Sequence, residues 1–194
     1  MTMRNDLRTD NAWIQTYTGK PFWPLNPRIE DLDIEDIAHA LSMQCRYSGH
    51  VKYFYSVAEH SIHISRAVSP ENALWGLLHD ASEAYLVDVP RPIKPHLPQY
   101  REAESVLMAC IAQRYGLRWP EPTEVKAMDT RILFNEREAL MSKSVREWGL
   151  TGEPIPDLEI ICYPPRQAEI LFLSIFRELM TIQLAPRRAM VEGD

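Results

Sequence analysis

Apolar residues recur at helical spacing through most of the chain. In residues 33–45, Ile34, Ile37, Ala38 and Leu41 share one face, and Asp33 stands where an N-cap is needed. Residues 56–68 repeat the pattern with Val57, His60, Ile64 and Val68. Ser69-Pro70-Glu71 then starts a third helix, with serine to cap and proline in the first turn. This helix is predicted to run through Leu74, Leu77, Leu78 and Ala81 to about Tyr85, where Val89-Pro90-Arg91-Pro92 and a proline-rich loop to Pro98 follow. Residues 99–115 turn Val106, Leu107, Cys110 and Ile111 inward and end at Gly116. Residues 123–147 read as one long helix with Ile132, Leu133 and Leu140 on one face. Residues 165–182 carry Ala168, Leu171, Phe172, Ile175, Phe176 and Leu179 as the last. The strand-like segments are 13–17 and 158–163, expected to pair as a small ribbon. The pattern predicts an all-α, single-domain helical bundle over residues 1–194 with one short β ribbon, and flexible tails at 1–12 and 184–194.

Charged residues interrupt this pattern at one place. An apolar helix, Leu74-Trp75-Gly76-Leu77-Leu78, runs directly into His79-Asp80, with Glu83 one turn further and Asp88 just before the proline loop. A carboxylate among apolar neighbours is costly unless it is paired, and a metal ion is the simplest partner. One helix cannot close a metal shell. His60 lies among apolar residues of the preceding helix, and Asp129 follows Val125-Lys126-Ala127-Met128 in the long one. His63, three residues after His60, competes with it as a ligand. Two histidines and two aspartates suit Mn, Fe, Co, Ni or Zn better than Ca.

Composition narrows the class. The chain has 194 residues, 45% apolar and 25% charged, which suits a globular domain. A net charge of −6 argues against duplex nucleic acid as the main partner and leaves room for a small phosphorylated ligand. Seven glycines against fifteen prolines fit well-defined helices joined by stiff loops. Three widely spaced cysteines, Cys45, Cys110 and Cys162, do not form a disulfide framework and are expected to be buried, reduced thiols. Met1 to Asp10 is too polar for a signal peptide, and no apolar run reaches membrane-spanning length, so a cytoplasmic protein is expected. The sequence carries no P-loop, no GxSxG elbow and no Rossmann glycine pattern.

The ordered set His60, His79-Asp80 and Asp129 resembles the H…HD…D signature of HD-domain metal-dependent phosphohydrolases. Around it, Ser56-Val57-Ala58-Glu59-His60-Ser61, Leu78-His79-Asp80-Ala81-Ser82-Glu83, Val87-Asp88-Val89-Pro90-Arg91-Pro92-Ile93-Lys94 and Val125-Lys126-Ala127-Met128-Asp129 resemble the bacterial 5′-deoxynucleotidase branch. Cys45-Arg46-Tyr47-Ser48-Gly49-His50 and Phe54-Tyr55-Ser56-Val57-Ala58 are similar to its phage and prophage members, among whose relatives is a viral dATP triphosphohydrolase. The likeness spans residues 13–145. Val87 departs from it, standing where that branch often has glycine.

The resemblance implies that His60, His79, Asp80 and Asp129 hold one divalent metal (Mn, Co, Zn, Ni, Fe or Mg). Glu83 and Asp88 then serve as acid and base, in an order left open. Arg46 and Lys94 bind phosphate, and Tyr47 and Trp75, with Tyr85 and Pro90, are candidates to hold base and sugar. The implied substrate is a deoxynucleotide, split either from a monophosphate to phosphate or from a triphosphate to triphosphate. Lys94, Arg91 and His96 are the cations available beyond the α-phosphate. Relatives form homo-oligomers, so at least a dimer is expected. A cyclic-dinucleotide hydrolase would carry a GYP motif that is absent here. The alternative outside enzymes is a metal-stabilised nucleotide sensor or interaction protein, which the presence of both Glu83 and Asp88 disfavours.

Overall fold

The computed structural model describes residues 11–191, with side chains to residue 183. The chain is mostly helical, as its periodicity predicts, with one two-stranded ribbon among the described residues. That ribbon joins β1 (Ile14–Gln15) antiparallel to β2 (Pro21–Phe22), Ile14 opposite Phe22. Of the segments expected to pair, 13–17 contains β1, but 158–163 is not a strand. The backbone N–H groups of Ile161, Cys162 and Tyr163 instead donate to the buried Glu59 carboxylate at 3.0, 2.8 and 2.7 Å. Cys162 has φ 63°, which breaks any extended path. One carboxylate satisfies the donors that a ladder would otherwise take.

Helix α1 (Ile34–Met43) begins where its Asp33 cap predicts, and α2 (Val57–Ala67) begins one residue into the expected 56–68. The Asp33 side chain accepts from the Glu35 amide at 3.0 Å, and Ser56 Oγ from the Glu59 amide at 3.0 Å. The third predicted helix is broken. A 3-10 turn at Pro70–Asn72 leads into α3 (Ala73–Leu78), residues 79–82 form tight turns, and α4 (Glu83–Leu86) follows. Across the break the bonds run over three residues, Ala81 to Leu78 at 3.0 Å and Glu83 to Asp80 at 2.9 Å. His79 Nδ1 takes the Gly76 carbonyl that a continuing helix would use.

After the proline loop, α5 (Pro98–Tyr115) ends on Gly116, whose φ of 69° is the left-handed C-cap the sequence predicts. The next helix, α6 (Thr123–Leu140), stops short of the expected residue 147. Met141 is extended, and the Leu140 carbonyl accepts from the Lys52 amide at 2.9 Å rather than from a further turn. The last helix, α7 (Pro165–Val191), is longer than its apolar stripe suggested. The flexible tails expected at the two ends fall at 1–10 and 192–194 outside the described residues, while α7 carries 184–191.

The core lies where α2 packs on α3 and α7, and α1 on α4 and α7. Ile37, Leu41, Ile62, Ile64, Leu77, Leu78 and Phe172 are fully buried there, each contributing about 1.5–3 kcal/mol relative to exposure. The cysteines are free but half-buried, not buried as expected. Among the described residues no helix is long and apolar enough to cross a membrane. Gly76 marks the closest approach of α3 to α2: a Cβ there would stand 2.9 Å from the Ser65 Cα and N. Gly76→Ala is therefore expected to cost about 1–3 kcal/mol, because backbone must move to admit the methyl group. A thermal melt of both proteins checks this, and an unchanged Tm contradicts it.

Candidate metal centre

The break in the third helix has a consequence. It turns His79 and Asp80 toward His60 on the adjacent α2, and α6 brings Asp129 to the same point. His60 Nε2 lies 3.2 Å from His79 Nε2, 3.3 Å from Asp129 Oδ1 and 3.6 Å from Asp80 Oδ2, and His79 Nε2 lies 3.1 Å from Asp80 Oδ2. The ligating atoms of His60, His79 and Asp129 all fall within 4.8 Å of one another, so this cluster can hold a metal ion. Two ligands each about 2.1 Å from one ion stand about 3.0 Å apart at a right angle and about 3.4 Å apart at the tetrahedral angle. The His60–His79, His60–Asp129 and His79–Asp80 separations fall in that range, and His60–Asp80 at 3.6 Å lies just beyond it.

The histidine tautomers point the same way. His60 Nδ1 is 2.7 Å from Glu136 Oε1, and His79 Nδ1 is 2.8 Å from the Gly76 carbonyl oxygen. Both partners accept only, so each Nδ1 carries its proton and each Nε2 turns a lone pair to the cluster. Two lone pairs facing at 3.2 Å between two carboxylates repel unless a cation stands among them. His63, the competing ligand, stays apart: its Nε2 is 3.5 Å from Glu59 and its ring stacks near Tyr55.

Charge in the cluster is strongly shifted. Burial opposes protonation of His79, yet the Asp80 and Asp129 carboxylates outweigh it and push its pKa up to about 10. Burial likewise opposes ionised Asp80 and Asp129, but the histidines hold Asp80 well below the usual carboxylate range and Asp129 at about 2. The cluster thus favours a positive charge at its centre. A metal ion can take the place of that proton.

Glu136 escaped the sequence reading. It is fully buried, two helical turns beyond Asp129 on the same face of α6, in a stripe with Ile132, Leu133 and Leu140. A glutamate on that apolar face was the available signal. It orients His60, accepts from the Tyr47 hydroxyl, and lies 3.5 Å from Arg46 Nη2. Burial opposes its charge, but Arg46 and His60 hold its pKa at about 2. Glu136→Gln is expected to weaken metal binding about 10- to 100-fold through loss of this orienting carboxylate. Titration with a chelator-buffered metal checks it.

Arg46 follows Cys45, which bridges to Ser56, and precedes Tyr47 and Ser48, both at positive φ. That hook buries Arg46 with Nη1 3.4 Å from Asp80 Oδ2, and leaves its Nε without a hydrogen-bond partner among the described residues. Tyr47 sits behind His60, its hydroxyl on Glu136 and its ring 5.8 Å from Trp148. Glu83 is buried with Oε2 likewise unpartnered, and Oε1 lies 3.7 Å from Lys94 Nζ. Burial, then the charges of Asp80 and Asp88, push the Glu83 carboxyl well above its ordinary value. Burial also raises half-buried Asp88, with Arg46 opposing. Gln44, also missed, ties the two acids together by backbone: its Nε2 donates to the Glu83 carbonyl at 3.0 Å and its Oε1 accepts from the Asp88 amide at 3.2 Å. Between the acids, Val87 adopts φ 66°, ψ 153°. That region suits glycine and costs a β-branched residue about 1–3 kcal/mol.

Lys94 Nζ is 2.6 Å from Glu104 and, with His79, Asp80 and Asp129, lines a cavity of about 640 Å³. Trp75 is buried against this cavity, its Nε1 donating to the Arg118 carbonyl at 2.8 Å. Tyr85 stacks on Phe22 in the core, 3.9 Å between centroids. Arg91 is 2.8 Å from Asp129 Oδ2, which leaves Oδ1 to the cluster.

No family model matches the chain. The uncharacterized protein YfdR of Escherichia coli (strain K12) is 37% identical over 174 residues, covering 89% of this chain and 98% of YfdR. The uncharacterized protein RCAP_rcc00048 of Rhodobacter capsulatus is 33% identical over 182 residues, covering 84% of this chain and 93% of that protein. With nearly the whole of both relatives matched, the chain belongs to the family of which Escherichia coli YfdR is a member.

Proposed function

We propose that this protein is a metal-dependent phosphohydrolase of the HD-domain type that removes the 5′-phosphate or polyphosphate of a deoxynucleotide. The observation that carries this reading is the meeting of His60, His79, Asp80 and Asp129, with both Nδ1 protons committed elsewhere and a buried cation, Arg46, beside the carboxylates. All four side chains fit a divalent ion of the Mn, Fe, Co, Ni or Zn kind. Bound there, such an ion supplies Lewis acidity toward a phosphoryl oxygen and an acidified water.

The chain's own residues do the rest. Arg46, whose Nε has no hydrogen-bond partner among the described residues, and Lys94 hold phosphoryl oxygens. Glu83 and Asp88, bound through their backbones by one glutamine, move protons between the attacking water and the leaving 5′-oxygen. A small phosphorylated substrate fits a net charge of −6 better than a nucleic acid duplex.

The test is product analysis by chromatography after incubation with Mn or Co and a panel of ribo- and deoxynucleotides, as mono- and triphosphates. Deoxynucleoside with phosphate, or with intact triphosphate, is the expected result and separates the two substrate classes. No turnover with any of the metals overturns the reading.

A further inference from the structure

The 640 Å³ cavity runs from the metal cluster between the first turns of α5 and the segment joining α5 to α6. Its size is that of a small-molecule site. Around it the carboxylates of Glu102, Glu104 and Glu121 face the cations of Lys94, Arg101 and Lys126. Glu104 holds Lys94 at 2.6 Å, and Glu121 lies 3.7 Å from Lys126. Beyond Lys94, which is left to the phosphate, the three carboxylates outnumber Arg101 and Lys126, so the rest of the cavity suits the uncharged end of a nucleotide.

Two of its walls are chemically specific. Trp119 leaves 46% of its surface exposed, its ring 6.1 Å from the buried Trp75, which is fixed through Nε1. An indole held this way offers a flat face to a base. Two residues on, half-buried Glu121 lines the same cavity; burial raises its pKa, and the charges of His79 and of Lys126, 3.7 Å away, oppose that and favour the carboxylate. An ionised carboxylate only accepts hydrogen bonds. Adenine N6 and cytosine N4 present donors, whereas thymine O4 and guanine O6 present acceptors at the corresponding edge.

We propose that this cavity is the nucleoside site, with the base against Trp119 and its exocyclic amino group on Glu121, so that adenine and cytosine are selected over thymine. The proposal rests on the nucleotide reading above, and its test is independent of turnover. Calorimetric titration of the metal-loaded protein with deoxyadenosine, deoxycytidine and thymidine, none carrying phosphate, is expected to show the first two binding roughly ten- to hundredfold more tightly. Glu121→Gln, which offers a donor as well as an acceptor, is expected to erase most of that difference without changing the Tm. Trp119→Ala is expected to weaken all three nucleosides. Equal binding of thymidine, no nucleoside binding, or full discrimination in Glu121→Gln overturns the base site. Turnover without base discrimination sinks this proposal alone. Discriminating binding without turnover of any nucleotide sinks the hydrolase reading and leaves the base site standing.

Discussion

Asp80→Ala is expected to release the metal and stop turnover together. Its Oδ2 lies 3.1 and 3.6 Å from the two histidine Nε2 atoms and 3.4 Å from Arg46 Nη1, so one carboxylate serves the cluster and the buried guanidinium alike. Removing it takes away a ligand and leaves Arg46 with Glu136 at 3.5 Å as its nearest counter-charge. Breaking one side of a buried ion pair commonly costs about 3–5 kcal/mol, so the alanine variant is also expected to melt earlier. Asp80→Asn, which keeps shape and removes only the charge, separates the effects: it should fold and still fail to retain metal. The measurements are metal content after gel filtration, Tm, and product formation with the preferred nucleotide. Full activity in a metal-depleted Asp80→Ala protein would falsify the site.

Glu83→Ala should behave differently, keeping its metal while losing about 10²-fold or more in turnover. The carboxylate stands outside the cluster of ligating atoms, one turn after Asp80, buried, with Oε2 unpartnered among the described residues. On the proposed hydrolase reading, this buried acid beside the His–Asp cluster exchanges a proton with a ligand rather than bracing the fold. Loss of kcat with unchanged metal affinity is the expected signature. Normal turnover in Glu83→Ala would assign it a structural role and move the acid–base work to Asp88 alone. Because Gln44 binds the Glu83 carbonyl and not its side chain, the alanine variant keeps that backbone tie.

What the sequence determined by itself is local. Asp33 and Gly116 mark helix ends within a few residues, because a cap is a contact between near neighbours. His60 and His79-Asp80 stood out because they interrupt apolar helices, and Asp129 joined them through the ordered spacing of the whole set. What the tertiary structure decided is every contact across long stretches of chain. Glu136 meets His60 across 76 residues, and Glu59 takes the backbone of 161–163 across more than a hundred. The second strand moved from 158–163 to 21–22 for the same reason: a buried carboxylate claimed its donors. The end of α6 depends on the Lys52 amide, and the cavity on the approach of α5 to the segment that follows it. Periodicity shows which face of a helix is buried, but the group that face meets is set by packing of the whole chain, where one close-packed arrangement fixes distances that no short window contains.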